Sequence, residues 1–358
     1  MYHDFLSIWG DPSSYSPGLS ALTANRHLQY RQNKFKDQLQ IEDVGNGKAV
    51  IRDIRTGKWF LDSDTGVQSR YAEGFHCMML GAICGDVAGS VYEWHNVKYC
   101  IDTDKLISPR AHFTDDSVMT IAVANGIRIA LSKLPPSWLG NEAMEQEIFD
   151  AVRASMQLFG RQYPNAGYGG SFRRWLADAD PQPYNSWGNG SAMRASYGGW
   201  VAKSLAEAER LGEISAAVTH NHPEGIKGAK AVTGGIYTLR VHGDKKAFEA
   251  YIKDRYYSLD FTLDEIREDY RFDVSCQGSV PQAIEAFLEG ESFSDVISKA
   301  ISIGGDSDTI AAIAASFAEV IYPIPEGVRG RVIDRLDCNL RDTLIDAIDF
   351  AVQAQQEP

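Results

Sequence analysis

The chain has 358 residues, of which 44% are hydrophobic, and its formal net charge at pH 7 is −13. Its length suffices for one large core or two modest ones. The acidic balance argues against non-specific binding to nucleic acid or to an anionic membrane. No uninterrupted apolar run approaches the length of a membrane span, so the sequence predicts no transmembrane helix.

The N-terminal residues and the cysteines indicate the cellular compartment in which the protein is expected. The first residues, MYHDFLSIWGD, lack a basic segment followed by a long apolar run, so we expect no secretory signal. The five cysteines are scattered along the chain and form no CxxC pair. Reduced thiols in a cytoplasmic protein are the interpretation that this pattern favours.

Residues 1–70 differ in composition from the rest of the chain. They contain polar stretches with interspersed aromatic residues, such as GDPSSYSPG and NRHLQYRQNKFKDQLQ. Within residues 47–62, KAVIRDIRTGKWFL alternates apolar and polar positions around Thr56 and Gly57, which predicts a small β-hairpin. We therefore expect an N-terminal extension over residues 1–70, made of an arm and this hairpin, and a separate domain over residues 71–358.

From residue 71 onward the apolar residues recur at helical spacing. Examples are FHCMMLGAICGDVAGSVYEW, SVMTIAVANGIRIALSKL and EGIKGAKAVTGGIYTLRV, in which small residues would let helices approach closely. No series of alternating segments after residue 70 is strong enough to build a sheet. The sequence therefore predicts an all-α domain.

Two clusters of acids and hydroxyls each stand before an apolar helix. The first is Thr114, Asp115 and Asp116, and the second is Asp306, Asp308 and Thr309. Taken alone, either cluster could simply begin and cap its helix. Taken together, four carboxylates before buried helices need more positive charge than helix N-termini supply. Two divalent cations would supply that charge, and oxygen ligands from Asp and Thr suit Mg²⁺ or Mn²⁺ rather than Zn²⁺.

Three further stretches carry glycines, and a fourth carries histidines. GDVAGSVYEW contains glycines that allow tight packing and places Glu93 near its end, where a plain surface position is the simplest explanation. GYGGSFRRW and NSWGNGSAMRASYGG could direct backbone N–H groups at an anion, or could be ordinary loops. His220 and His222 in THNHPEGIKGAKA lack a third nitrogen ligand, so we expect no metal role for them.

These segments, in this order, resemble the ADP-ribosylglycohydrolase family. The resemblance covers about residues 71–350 and rests on GDVAGSVYE, FTDDS, GNGSAMR, THNHPEGIKGA and GGDSDT together. It implies a compact, orthogonal all-α fold with a binuclear Mg²⁺ or Mn²⁺ centre at the floor of a cleft. The implied metal ligands are Thr114, Asp115, Asp116, Asp306, Asp308 and Thr309.

The resemblance also implies a reaction and its site. The protein is expected to remove ADP-ribose from modified protein side chains, most readily from arginine, with Glu93, Asp115 and Asp306 as catalytic residues. Implied substrate contacts are Gly169, Gly170, Ser186, Trp187, Gly188, Asn189, Gly190 and His220. Hydrolysis of serine-linked or O-acetyl-ADP-ribose is an alternative, and so is a non-catalytic protein that binds ADP-ribose or a toxin.

The N-terminal extension departs from the family pattern, in which the domain begins close to the GDxxG element. Either residues 1–70 pack as an extra layer, or they form an arm, with Trp9 and Tyr15 as anchors, that binds another protein. Some bacterial members of the family act as immunity proteins against ADP-ribosylating toxins. The expected partners are therefore an ADP-ribosylated protein substrate and, in the second interpretation, a cognate ADP-ribosyltransferase toxin bound through residues 1–70.

Overall fold

The computed structural model describes residues 78–356 and three strands at residues 39–45, 48–53 and 59–61. By internal contacts the chain divides into two units, Met1–Phe75 and His76–Pro358. Residues 1–38, where the sequence predicts an arm with Trp9 and Tyr15, lie outside the described residues. The predicted domain limits at residues 70 and 71 therefore stay a prediction.

The described part of the first unit is a three-stranded antiparallel sheet. Its strands are β1 (Leu39–Gly45), β2 (Lys48–Asp53) and β3 (Trp59–Leu61), in the order β1-β2-β3. Strands β2 and β3 pair with Ile51 opposite Phe60, and this pair is the hairpin that the sequence predicts. The sequence did not predict β1, in which Ile41 lies opposite Ile51.

The described part of the second unit is helical, which confirms the predicted all-α class. Its only strand-like pairing within residues 78–356 is an isolated bridge between Gly188 and Ser275. The helices are α1 (Leu80–Gly89), α2 (Asp115–Leu131), α3 (Glu142–Gln162), α4 (Gly170–Ala177), α5 (Gly190–Met193), α6 (Ser196–Val201), α7 (Leu205–Ala217), α8 (Pro223–His242), α9 (Lys245–Arg255), α10 (Leu263–Ile266), α11 (Cys276–Glu289), α12 (Phe293–Ser302), α13 (Ser307–Ile321), α14 (Glu326–Ile333) and α15 (Cys338–Gln356). Short 3₁₀ turns occupy Thr103–Lys105 and Pro136–Trp138.

Polar side chains fix where many of these helices begin. Asn141 accepts hydrogen bonds from the first backbone N–H groups of α3, and Ser204 does the same for α7. Thr262 and Glu265 form a reciprocal capping box at α10. Each cap satisfies backbone donors that have no partner within the helix.

Two helices form the centre of the second unit. All ten residues of α1 are buried, and so is every residue of α13 from Ser307 to Val320. A helix that is apolar on all sides must be surrounded by protein. Helices α8, α11 and α12 pack around α13, while α2 packs between α3 and α15.

Glycines bring α1 and α13 into direct backbone contact. A Cβ at Gly81, Gly85 or Gly89 would overlap the backbone of Ala315, Ala311 or Asp308, respectively. Later residues of α1 meet earlier residues of α13, so the two helices run in opposite directions. The C-terminal end of α1 is thereby pressed against the N-terminal end of α13, where the second acid cluster begins.

The described residues agree with two further expectations. None of their helices combines the length and the apolar character needed to cross a membrane. Cys84, Cys100, Cys276 and Cys338 carry thiols rather than disulfides. The cytoplasmic location inferred from the cysteines stays a prediction.

Candidate metal centre

The two acid clusters, far apart in sequence, meet at the ends of α1, α2 and α13. Two sets of carboxylates result, and within each set one oxygen per residue lies within 4.8 Å of the others. The first set is Asp86, Asp116 and Asp308, and the second is Glu93, Asp306 and Asp308. Asp308 belongs to both sets, so two adjoining positions exist at which a metal ion could be held.

Helix capping does not account for the aspartates. Asp306 is the residue that precedes α13, but its side chain makes no capping hydrogen bond. At α2 the cap is Thr114, whose hydroxyl accepts from the backbone N–H of Asp116 at 3.3 Å. The acids are therefore not needed to begin either helix, and the simpler of the two sequence interpretations fails for Asp306.

Two glycines form the turn that precedes the second acid cluster. Gly304 and Gly305 have φ values of +71° and +72°, in the left-handed region that favours glycine. A Cβ at Gly304 would overlap the side chain of Asn96, and one at Gly305 would lie 2.5 Å from the Tyr270 ring. This tight turn directs the chain so that Asp306 and Asp308 enter the buried cluster.

The hydroxyls of Thr114 and Thr309 donate hydrogen bonds to aspartates of the cluster. Thr114 Oγ1 donates to Asp86 Oδ1 at 2.7 Å, and Thr309 Oγ1 donates to Asp116 Oδ2 at 3.2 Å. A hydroxyl that donates in this way still has oxygen lone pairs for a cation. Asp116 Oδ1 is buried without a hydrogen-bond partner, and a bound hard cation would satisfy it. The donor set therefore fits Mg²⁺ or Mn²⁺.

Asp86 is a site residue that the sequence interpretation missed. Its carboxylate accepts from the backbone N–H groups of Thr114 and Ser117 at 2.9 and 3.0 Å. It also accepts from the Thr114 and Ser117 hydroxyls. These bonds tie α1 to the start of α2. The available signal was an acid within LGAICGDVAG, because a charged residue in an all-apolar helix needs buried partners.

The cluster crowds several carboxyl groups together away from water, which disfavours their charged forms. Burial, followed by repulsion from neighbouring carboxylates, raises the pKa of Asp116 well above its usual value and that of Asp115 to about 8. The same causes raise the pKa of Glu93 to about 7. Burial raises the pKa of Asp306 to about 6, although its hydrogen bonds oppose the rise. No described cationic side chain forms an ion pair with these acids.

The segment 186–190, which we call the glycine loop, is joined to the acid cluster through Asn189. The Asn189 side-chain amide donates to Asp306 Oδ2 at 2.7 Å and to Ser279 Oγ at 3.0 Å. Ser186 Oγ accepts from the Gly188 backbone at 3.1 Å, and Trp187 is 53% exposed. The loop thus borders the cluster, although the Asn189 amide is engaged by protein groups.

His220 lies beneath the glycine loop, whereas Gly169 and Gly170 stand at the start of α4. His220 Nε2 stands 3.3 Å from where a Cβ at Gly188 or Gly190 would be. Gly169 and Gly170 are exposed at the start of α4. Their neighbour Gly167 has a φ of +116°, and a Cβ there would lie 2.9 Å from Asp115 Oδ1.

Asp115 and Glu93 occupy the edge of the cluster. Asp115 is half-buried and belongs to neither carboxylate set, although it faces the segment at Gly167. Glu93 is half-buried beyond the end of α1. Its neighbour Trp94 is 76% exposed and stacks on Phe272, with ring centroids 5.1 Å apart and an interplanar angle of 14°.

Known proteins resemble this chain in sequence and in fold. A family model described as ADP-ribosylglycohydrolase matches residues 67–357. The ADP-ribosylhydrolase ARH3 of Mus musculus is 25% identical over 337 residues, spanning 71% of this chain and 85% of its own. ARH3 of Homo sapiens is 25% identical over 339 residues, spanning 71% and 86%. A solved ADP-ribosylglycohydrolase-related protein complex is similar in fold, with a TM-score of 0.52 at 20% identity, covering 77% of this chain and 96% of its own.

Proposed function

The chain belongs to the ADP-ribosylglycohydrolase family, and we propose that it uses two divalent cations to remove ADP-ribose from modified arginine side chains. Its similarity to ARH3 supports a hydrolase that releases ADP-ribose. The observation that carries the metal requirement is the pair of carboxylate sets that share Asp308. Neutralising so many buried acids calls for more positive charge than the described residues supply.

The geometry adds Asp86 and Glu93 to the metal ligands that the sequence predicts, whereas Asp115 belongs to neither carboxylate set and its metal role stays a prediction. Asp86, Asp116 and Asp308 lie around one position, and Glu93, Asp306 and Asp308 lie around the other. The Thr114 hydroxyl lies beside Asp86 and Asp116 at the first position. Thr309, which donates to Asp116, complements them. Mg²⁺ or Mn²⁺ bound there would act as a Lewis acid towards the hydroxyls of the distal ribose.

The acids at the edge of the cluster are proposed to serve the cleavage itself. Breaking an N-glycosidic bond develops oxocarbenium-like positive charge, which the carboxylates of Asp115 and Asp306 would stabilise. Glu93 is half-buried beyond the end of α1, so its side chain is partly accessible to solvent. That position suits it to exchange a proton with the leaving group or with the attacking water.

The surroundings of Glu93 support arginine as the linkage. Trp94 follows Glu93 directly, and its indole is 76% exposed. A planar guanidinium can stack on an aromatic face while it pairs with a carboxylate. The alcohol released from a serine linkage has no comparable use for an aromatic face beside an acid.

Parallel hydrolysis assays test the activity and the linkage. The full-length protein is incubated with arginine-ADP-ribosylated protein, serine-ADP-ribosylated protein and O-acetyl-ADP-ribose, each with and without EDTA, and free ADP-ribose is quantified. We expect fastest release from arginine, loss of release in EDTA, and recovery with Mg²⁺ or Mn²⁺. Serine release as fast as arginine release would contradict the linkage. Binding of ADP-ribose without any release would favour the non-catalytic alternative.

We further propose that the protein works in the cytoplasm and reverses the effect of an ADP-ribosyltransferase toxin, to which residues 1–70 also bind. The family resemblance and the unusual composition of that extension support this role. The aromatic content of the extension is typical of segments that bind other proteins.

A further inference from the structure

Lys98 is a half-buried lysine whose ammonium group binds two backbone carbonyls from distant parts of the chain. Its Nζ donates to the Ile303 carbonyl at 2.6 Å and to the Tyr270 carbonyl at 2.7 Å. Ile303 directly follows α12, and carbonyls at the end of a helix lack partners within it and favour a cation. Hydrogen bonds from a charged donor are also stronger than neutral ones. One side chain therefore connects three segments of the chain.

Few other hydrogen bonds hold the segment that carries Lys98. Apart from the two Lys98 bonds, residues 96–101 have one hydrogen bond to the rest of the described structure, from Ser298 Oγ to the Ile101 carbonyl at 2.8 Å. Asn96 has a φ of +44°, a conformation that residues other than glycine adopt infrequently. The path of this segment thus depends strongly on the Lys98 ammonium.

The same segment packs against the Gly304–Gly305 turn. A Cβ at Gly304 would lie 2.4 Å from Asn96 Oδ1 and 3.1 Å from the Val97 carbonyl oxygen. On Gly305 a Cβ would lie 2.5 Å from the Tyr270 ring. The turn is therefore enclosed by two segments, and the Lys98 ammonium connects them.

Both ends of the Lys98–Ile303 bond lead to proposed metal ligands. Glu93 precedes Lys98 in the same segment, and Asp306 follows Ile303 after the glycine turn. The carboxylates of Glu93, Asp306 and Asp308 form the second set. The first set lies on α1, α2 and α13 and has no member in the segment that Lys98 holds.

We propose that Lys98 is a positioning residue that holds Glu93 close to Asp306 and so completes the second metal position. It acts through the Ile303 and Tyr270 carbonyls and needs no contact with the metal or the substrate. The inference rests on the proposed function for the presence of two cations. Replacing a residue that supports metal ligands typically weakens metal binding by about 10–100-fold.

A simpler explanation is that the turn after α1 places Glu93 by itself. The Tyr92 backbone N–H donates to the Gly89 carbonyl at 2.7 Å, and the His95 N–H donates to the Tyr92 carbonyl at 2.8 Å. If these bonds suffice, removing the Lys98 ammonium changes stability but leaves both metal positions intact. Metal binding therefore distinguishes a positioning residue from one that only stabilises the fold.

Substitution of Lys98 should weaken one metal position selectively. In Lys98→Met, calorimetric titration should show one Mn²⁺ equivalent bound as in the wild type and the other bound about 10–100-fold more weakly. Lys98→Gln, whose shorter side chain does not reach both carbonyls, should behave in the same way. Combining Lys98→Met with Glu93→Gln should give the Mn²⁺ affinity of Glu93→Gln alone, because both changes act at the same position.

Lys245→Met is the matched control for these variants. Lys245 is also half-buried, and its ammonium donates to the backbone carbonyls of Leu288 and Gly290 at the end of α11. It touches none of the acids in the two carboxylate sets. Lys245→Met should keep both Mn²⁺ equivalents, even where urea unfolding shows that it loses as much stability as Lys98→Met.

The outcomes separate this inference from the proposed function. Two Mn²⁺ equivalents bound with wild-type affinity by folded Lys98→Met overturn the positioning role, and Lys98→Gln decides if Lys98→Met does not fold. A wild type that binds no Mn²⁺ contradicts the proposed function instead. Crystal structures of the metal-free wild type and Lys98→Gln then test the positioning itself: Glu93 should move away from Asp306 in the variant, and an unchanged Glu93 overturns the inference.

Discussion

Asp308 has a different position from the other acids of the cluster. It is 4% exposed, it joins both carboxylate sets, and its backbone meets Gly89 of α1. Its Oδ1 accepts from the Thr309 backbone N–H at 2.9 Å, and burial raises its pKa well above the usual value. If two cations bind, both should need the Asp308 carboxylate as a ligand.

Substitution of the shared and unshared acids should therefore have different effects on metal stoichiometry. We expect Asp308→Asn to lose both Mn²⁺ equivalents, whereas Asp116→Asn and Glu93→Gln should each lose one. Calorimetric titration and metal analysis measure the stoichiometry, and circular dichroism checks the fold. Asp254→Asn, on the surface of α9, is the control. Two equivalents bound by folded Asp308→Asn would contradict the shared site.

Glu319 is a buried acid outside the metal cluster. It is 1% exposed on α13, accepts from the backbone N–H of Gly81 at 2.8 Å, and leaves Oε1 without a partner. Burial raises the pKa of Glu319 well above its usual value of 4.5. The folded state therefore keeps a proton that the unfolded state releases, and stability is lost as the pH rises from 4.5 towards the raised pKa.

Glu319→Gln should remove this pH dependence while keeping an acceptor for Gly81. Relative to the wild type, the variant should gain stability as the pH rises from about 5 to about 8, by at most about 1.4 kcal/mol per pH unit. Urea unfolding at several pH values measures the difference. The surface variant Glu326→Gln should show the same dependence of stability on pH as the wild type. If the free energies of unfolding of Glu319→Gln and the wild type differ by the same amount at every pH, Glu319 does not titrate in this range.

At the residue scale, sequence reasoning found the acids that begin helices and missed the one inside a helix. Asp116, Asp306 and Asp308 were visible because each stands beside a hydroxyl or a glycine turn. The role of Asp86 is not visible in the sequence, because it depends on Thr114 and Ser117, which reach it only in three dimensions.

Among the elements, the α1–α13 pair determines the geometry of the metal centre. Asp86 lies on α1 and Asp308 on α13, and their separation depends on how closely the two backbones approach. Gly85 lies at the closest approach, beside the Ala311 carbonyl. By contrast, Gly330 of α14 has no atom within 4 Å of the place where a Cβ would stand. The chain thus offers a matched pair of helical glycines.

Replacing these two glycines by alanine should change the free energy of unfolding in opposite directions. Gly85→Ala must push α1 away from α13, and we expect it to destabilise the fold by about 3 kcal/mol and to weaken Mn²⁺ binding. Gly330→Ala should stabilise by about 0.5–1 kcal/mol, because alanine favours the helix and nothing obstructs it. Urea unfolding compares them. Equal stability of the two variants would show that the glycine contact does not set the helix spacing.

Helical periodicity predicted the elements but not their partners. The apolar spacing in SVMTIAVANGIRIALSKL and EGIKGAKAVTGGIYTLRV indicated α2 and α8, and small residues indicated close approach. That α1 would meet α13, more than two hundred residues later, depends on shape complementarity, which periodicity does not encode. The hairpin is predictable because Thr56 and Gly57 interrupt an alternating apolar–polar pattern, whereas β1, LQIEDVG, has two adjacent acids that weaken its strand pattern.

For the whole molecule, the extension and the helical unit separate the expected activities. All residues proposed to bind metal or substrate lie within residues 86–309 of the second unit. The first unit contains the three-stranded sheet, whose first strand begins at Leu39. A cut before residue 39 therefore removes the predicted arm and leaves every described strand intact.

Deletion of residues 1–38 should separate partner binding from hydrolysis. We expect the truncated protein to release ADP-ribose from arginine conjugates at nearly the full-length rate, because the metal centre and glycine loop are untouched. Its affinity for a cognate ADP-ribosyltransferase should fall by at least about tenfold, since the loss of aromatic anchors typically costs 2 kcal/mol or more. Surface plasmon resonance measures the affinity, and a Trp9→Ala, Tyr15→Ala double variant in the full chain serves as a second test. Full affinity in both proteins, or unfolding of the truncated one, would show that the arm is a structural layer and not a binding segment.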